Sequence, residues 1–218
     1  NTSTNLNNSD LPSWGAGTPA YSGNLPANWI AMVHNDMNPS ASYTVSTADA
    51  GFAIQSHNNK WNPASSWGAA LGFGLIDMHA DGNLTIEVSA DTVAGSIFTP
   101  GFTLFSGWDA GITSSKHQAW NNTGDVTAPN TLGSTDLTYV GHSSTTTPSG
   151  STAVTFYGLA AGEYSLWVGG NSSGSTSGTN QQYIANITAS PVPVPAAAWL
   201  MGSAVLGLAG MRRKKVTA

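Results

Sequence analysis

The chain has 218 residues, of which 40% are hydrophobic and only 8% charged, with eight Trp and no Cys. The length suits one domain with a sizeable core, and the missing Cys excludes disulfides, cysteine–zinc sites and thiol catalysis. Four of the six basic residues are Arg212, Arg213, Lys214 and Lys215, so residues 1–190 carry two basic against eleven acidic groups, a net −9. Such a body lacks the clustered cations that nucleic acids require, but it can attract metal cations such as calcium.

The chain does not begin with Met, as expected of a form whose export leader has been removed. Residues 1–28 are rich in Asn, Ser, Gly and Pro and read as an irregular segment with Trp14 and Tyr21 as anchors. From residue 29 to 190, short apolar or alternating runs lie between turn signals. Leu84, Ile86 and Val88 alternate with Thr85 and Glu87. Phe102 and Leu104 flank Thr103, Val154 and Phe156 flank Thr155, and Tyr164, Leu166 and Val168 continue the pattern. Further strands are expected at 42–46, 51–56, 69–77, 137–140 and 182–188. Period-two patterning without sustained helical periodicity predicts an all-β, antiparallel β-sandwich of jelly-roll type with about eight or nine strands. Asp81-Gly82-Asn83 reads as a hairpin turn, and Gly158-Leu-Ala-Ala-Gly162 as a short hairpin-type connection.

Residues 191–218 are of a different kind. Pro191, Pro193 and Pro195 end the β-domain. The uncharged stretch Ala196–Met211, with Trp199, Leu200, Val205, Leu206 and Leu208, is 16 residues long. As a helix it reaches about 24 Å, slightly short of a bilayer's hydrocarbon core. Arg212, Arg213, Lys214 and Lys215 follow directly and are expected to stay cytoplasmic, with the body outside. A buried core helix would show a polar face, and this stretch has none; a permanent membrane tail anchor is the other alternative to a temporary one.

Few body residues carry a chemical signature. Gly170-Asn-Ser-Ser-Gly174 fits the Gly-x-Ser-x-Gly pattern, but a Gly/Ser/Thr loop follows where a nucleophile elbow needs a helix. Asp77-Met-His-Ala-Asp81-Gly82 lacks the twelfth-position Glu of an EF-hand, since Val88 stands there. His34, His57, His79, His117 and His142 show no ligand spacing, so hydrogen-bonding roles outweigh a metal role. Asn-x-Ser/Thr triplets begin at Asn1, Asn7, Asn83, Asn121, Asn171 and Asn186, as the composition alone would give. The many Trp are weighed toward core packing over sugar stacking, with Trp108 and Trp120 the candidate ligand contacts.

The tail resembles the PEP-CTERM sorting signal of Gram-negative bacteria. The resemblance rests on Val192-Pro193-Val194-Pro195-Ala196-Ala197, Trp199-Leu200, Gly202-Ser203, Leu206-Gly207-Leu208 and Arg212-Arg213. Val194 stands where the name-giving motif has Glu. The resemblance implies processing by an exosortase-type membrane protease near Val192–Pro195, after temporary anchoring by the helix. It also implies delivery to the cell surface or an exopolysaccharide matrix. Residues 101–125 and 158–170 weakly resemble PPC-type, jelly-roll domains, which implies Asp109 and Asp125 as calcium candidates. The resulting expectation is an exported, non-enzymatic surface or matrix protein. A self-associating filament subunit, a carbohydrate-binding module and a secreted hydrolase are the alternatives.

Overall fold

A computed structural model describes residues 2–4, 29–47, 72–108, 137–170 and 181–192. These form ten strands: β1 (Thr2–Thr4), β2 (Trp29–Val33), β3 (Ser42–Ser46), β4 (Gly72–Met78), β5 (Gly82–Ala90), β6 (Pro100–Ser106), β7 (Thr138–Ser144), β8 (Ser151–Leu159), β9 (Gly162–Gly170) and β10 (Tyr183–Ser190). One sheet has six strands in the order β1-β2-β4-β9-β6-β7, the other four in the order β3-β10-β5-β8. The expected all-β sandwich is present, and no helix occurs among the described residues. The strand expected at 51–56 and the apolar tail segment 196–211 lie outside them, as does most of the 1–28 segment, whose Thr2–Thr4 pairs with β2.

Alternation builds the core. On β5, Leu84, Ile86 and Val88 point inward, and on β10 Tyr183, Ala185, Ile187 and Ala189 do. They meet Trp29, Ala31, Val33, Ile76, Met78, Phe102, Leu104, Leu166 and Val168 of the larger sheet in one buried cluster. Each fully buried Leu, Ile or Val contributes about 1.5–3 kcal/mol through removal from water. Across this core the Trp29 indole Nε1–H donates to the Tyr183 hydroxyl at 2.8 Å. Burial pushes the Tyr183 phenol well above its ordinary range, so it stays neutral. Two glycines on β4 make room for these rings. A Cβ on Gly74 would overlap the Trp29 indole, and one on Gly72 would lie 2.6 Å from Cε1 of Tyr183.

Three features depart from the sequence reading. First, β2 is buried on both faces, so its run WIAMV carries no alternation. Second, β2 pairs with β4 in parallel, whereas the other pairings among the described strands are antiparallel. Third, neither expected hairpin is one. The β4–β5 and β8–β9 connections both pass from one sheet to the other, because β4 pairs with β9 while β5 pairs with β8. The two arches therefore lie side by side, tied where Asp81 Oδ1 accepts from the Ala161 amide and Asn83 Oδ1 from the Gly158 amide. The β2–β3 connection also changes sheets at this end.

Candidate metal centre

The parallel register of β2 and β4 places Val33 opposite Met78. The next residue on each strand is a histidine, so His34 and His79 emerge side by side although 45 positions apart. The His79 amide donates to the Val33 carbonyl at 3.1 Å, extending the pairing one step past the strands. Asn35 then acts as a clamp. Its Nδ2 donates to the Ala80 carbonyl at 2.6 Å and its Oδ1 accepts from the Ala80 amide at 2.8 Å. This buried side chain mimics a strand's edge and fixes the two His-bearing segments to each other. Gly82 leaves room for it, since a Cβ there would come 3.1 Å from Asn35 Nδ2.

The amides of Met37 and Asn38 fold back onto the His34 carbonyl, forming a tight turn that presents Asp36 beside the imidazoles. His34 Nδ1 and His79 Nδ1 lie 3.2 Å apart, with the rings edge to face. Asp36 Oδ1 is 3.8 Å from His79 Nδ1, and the three donor atoms lie within 4.8 Å of one another. An ion held about 2.0–2.1 Å from both nitrogens would subtend an N–metal–N angle of about 100°. That lies between square-planar and tetrahedral values and fits copper, zinc or nickel. The Asp36 side chain is 46% exposed and stands beside the pair as a candidate third ligand. Calcium, which takes six to eight oxygens, does not suit an imidazole pair.

On its other side His79 presents Nε2 to Asp77 Oδ2 at 3.4 Å. Asp77 is nearly buried, and its cross-strand partner is Glu163. Burial, and secondly the Asp77 charge, push the Glu163 carboxyl above the ordinary carboxylate range. Asp36, Asp77, Met78, His79, Gly107, Gly162 and Glu163 line an open depression of about 700 Å³. None of the described residues is Lys or Arg, so no ammonium or guanidinium among them competes for these carboxylates.

The residues singled out in the sequence fall elsewhere. Asp109, Asp125 and Trp120 lie outside the described residues, as do Pro193–Pro195, the apolar stretch and the basic cluster; Val192 is at the end of the described chain and half exposed. Trp108 is 8% exposed and packs with Ile30 and Leu75, its Nε1–H donating to the Tyr164 carbonyl at 3.1 Å. Asn83 donates to the Pro191 carbonyl, and Asn186 is bonded to Thr44 and Glu87, so both amides of these triplets are engaged. His34 and His79 were read from sequence as scattered, and the fold brings them together. The only local signal is a mostly apolar run ending in His, in WIAMVH and in GLIDMH, and it acquires meaning only once the two runs are known to be parallel.

No family model matches the chain, and no curated protein matches it. Among solved structures, it aligns with CorA, a surface-associated copper-binding protein important in copper acquisition by Methylomicrobium album BG8. That alignment has 17% identity and a TM-score of 0.45, covering 75% of this chain and 98% of CorA. It also aligns with MopE, a secreted protein of Methylococcus capsulatus in which an oxidized tryptophan facilitates copper binding, described from a mercury-soaked structure. Here identity is 15% and the TM-score 0.37, covering 69% of this chain and 84% of MopE.

Proposed function

We propose that this chain is an exported, non-enzymatic surface protein whose sandwich binds a divalent d-block cation between His34 and His79. The observation that carries the metal reading is the Nδ1–Nδ1 separation of 3.2 Å, with Asp36 beside it. Two neutral imidazoles and a carboxylate are a donor set for copper, zinc or nickel, and the −9 charge of residues 1–190 favours cation approach. The export reading rests on the tail, where an uncharged 16-residue stretch precedes four cations. Its likeness to a sorting signal supports exosortase processing and residence at the cell surface or in an exopolysaccharide matrix.

Calorimetric titration of the full chain with Zn²⁺, Cu²⁺ and Ca²⁺ tests the metal reading. Zn²⁺ and Cu²⁺ should each bind at one site that the double variant His34→Ala/His79→Ala lacks. The loss should exceed the roughly 10–100-fold that removal of an outer-shell partner produces. Ca²⁺ binding should not depend on either histidine. Equal Zn²⁺ and Cu²⁺ affinity in wild type and double variant would overturn the reading.

A further inference from the structure

We infer that Asp77 is a positioning residue that fixes the His79 tautomer, keeping its Nδ1 unprotonated so that a metal ion displaces only the proton on His34 Nδ1. This rests on the metal reading above, but it concerns the metal-free protein and can be tested there.

The His34–His79 contact joins Nδ1 to Nδ1 at 3.2 Å, so of two neutral rings one must donate and the other accept. The carboxylates around His79 decide which. Asp36 stands 3.8 Å from Nδ1 and would draw a proton there, whereas Asp77 stands 3.4 Å from Nε2 and would draw it to that side. Asp77 is the nearer. Its side chain is also only 11% exposed against 46% for Asp36, so water screens its charge less. Both terms favour a proton on Nε2, which makes His79 Nδ1 the acceptor and His34 Nδ1–H the donor.

The proton order is then Asp77 carboxylate, H–Nε2 of His79, unprotonated Nδ1 of His79, and H–Nδ1 of His34. An entering ion finds one ligand already unprotonated. It needs His34 to give up its Nδ1 proton and take one at Nε2, which leaves that ring neutral and releases no net proton from it. His34 is only part-buried, so this exchange can run through solvent. A carboxylate behind a ligating imidazole also raises its basicity toward the ion.

Long-range ¹H–¹⁵N histidine spectra of the full chain, without metal and with Zn²⁺, test the assignment. Expected in the metal-free protein are His79 protonated at Nε2 and His34 at Nδ1. Zn²⁺ should move His34 to the Nε2–H form and leave His79 unchanged. Asp77→Asn, whose amide can either donate or accept, should mix the His79 tautomers and weaken Zn²⁺ binding about 10–100-fold. Asp36→Ala, at an exposed turn, should leave the His79 tautomer as in wild type; it supplies a second reading should Asp77→Asn fail to fold. His79 protonated at Nδ1 in the metal-free wild type, or a tautomer that follows Asp36, would overturn the inference even if Zn²⁺ binds. The expected tautomers without Zn²⁺ binding would support the Asp77 assignment and overturn the metal reading instead.

Discussion

Asn35 meets both backbone groups of Ala80 through its side-chain amide, at 2.6 and 2.8 Å, and thereby joins the loop carrying His34 to the arch carrying His79. The main-chain segments that carry the two imidazoles are thus tied to each other by backbone-like hydrogen bonding beneath the rings.

Asn35→Ala should therefore reach two observables at once. It strands the amide and carbonyl of Ala80 at a part-buried position and should lower stability by about 1–3 kcal/mol. It should also weaken Zn²⁺ binding, although residue 35 is not a ligand. Asn35→Asp keeps the acceptor toward the Ala80 amide but sets a carboxylate oxygen against the Ala80 carbonyl, so it should be at least as destabilising as Asn35→Ala. Denaturant unfolding and Zn²⁺ titration of the three proteins check this.

Tyr183→Phe removes the acceptor of the buried Trp29 indole N–H. The ring still fills its place beside Gly72, so the change isolates the hydrogen bond from the packing. The expected loss is about 1–3 kcal/mol, because the indole N–H is left unsatisfied among apolar side chains. Zn²⁺ titration, which reads the His34–His79 pair at the rim of the sandwich, should be unchanged.

The alternating strands were legible in the sequence because each buries one face only. Leu84, Ile86 and Val88 on β5 show this, as do Tyr183, Ala185 and Ile187 on β10. Trp29–Val33 was not legible as a strand, because the core takes one face and the Ile30–Leu75–Trp108 cluster the other. Asp81-Gly82-Asn83 has the turn chemistry of a hairpin, yet turn residues do not say whether the next strand stays in the same sheet. The candidate metal centre was hidden for a related reason. Its histidines meet only through the parallel β2–β4 register, and the partner of Asn35 is main chain, which leaves no mark in a sequence.

Glu163 gives the stability a pH dependence of known sign. Burial, and then Asp77, raise its carboxyl above the ordinary value, so the folded chain holds that proton more tightly than the unfolded chain. Its contribution is most favourable in acid, below the ordinary carboxylate value. That advantage is lost as pH rises from there through the raised folded value. Glu163→Gln should accordingly be at least as stable as wild type at neutral pH, with wild type gaining on it as the solution is acidified. Denaturant unfolding at several pH values between mild acid and neutrality shows whether the curves converge in that direction.

The tail makes a prediction independent of the metal. Intact mass of protein recovered from the cell surface should lack the residues after about Pro195, leaving the acidic body without its apolar stretch and basic cluster. A full-length mass in surface material would mean that the apolar segment is retained.

The central claim is that one d-block ion sits between the Nδ1 atoms of His34 and His79. The most direct measurement is an anomalous-difference map from crystals of the protein soaked in Zn²⁺. The account predicts a peak about 2.0–2.1 Å from both Nδ1 atoms, with Asp36 drawn toward it and Asp77 remaining against Nε2 of His79. No peak between the imidazoles, or Zn²⁺ bound through Nε2 of His79, would contradict it.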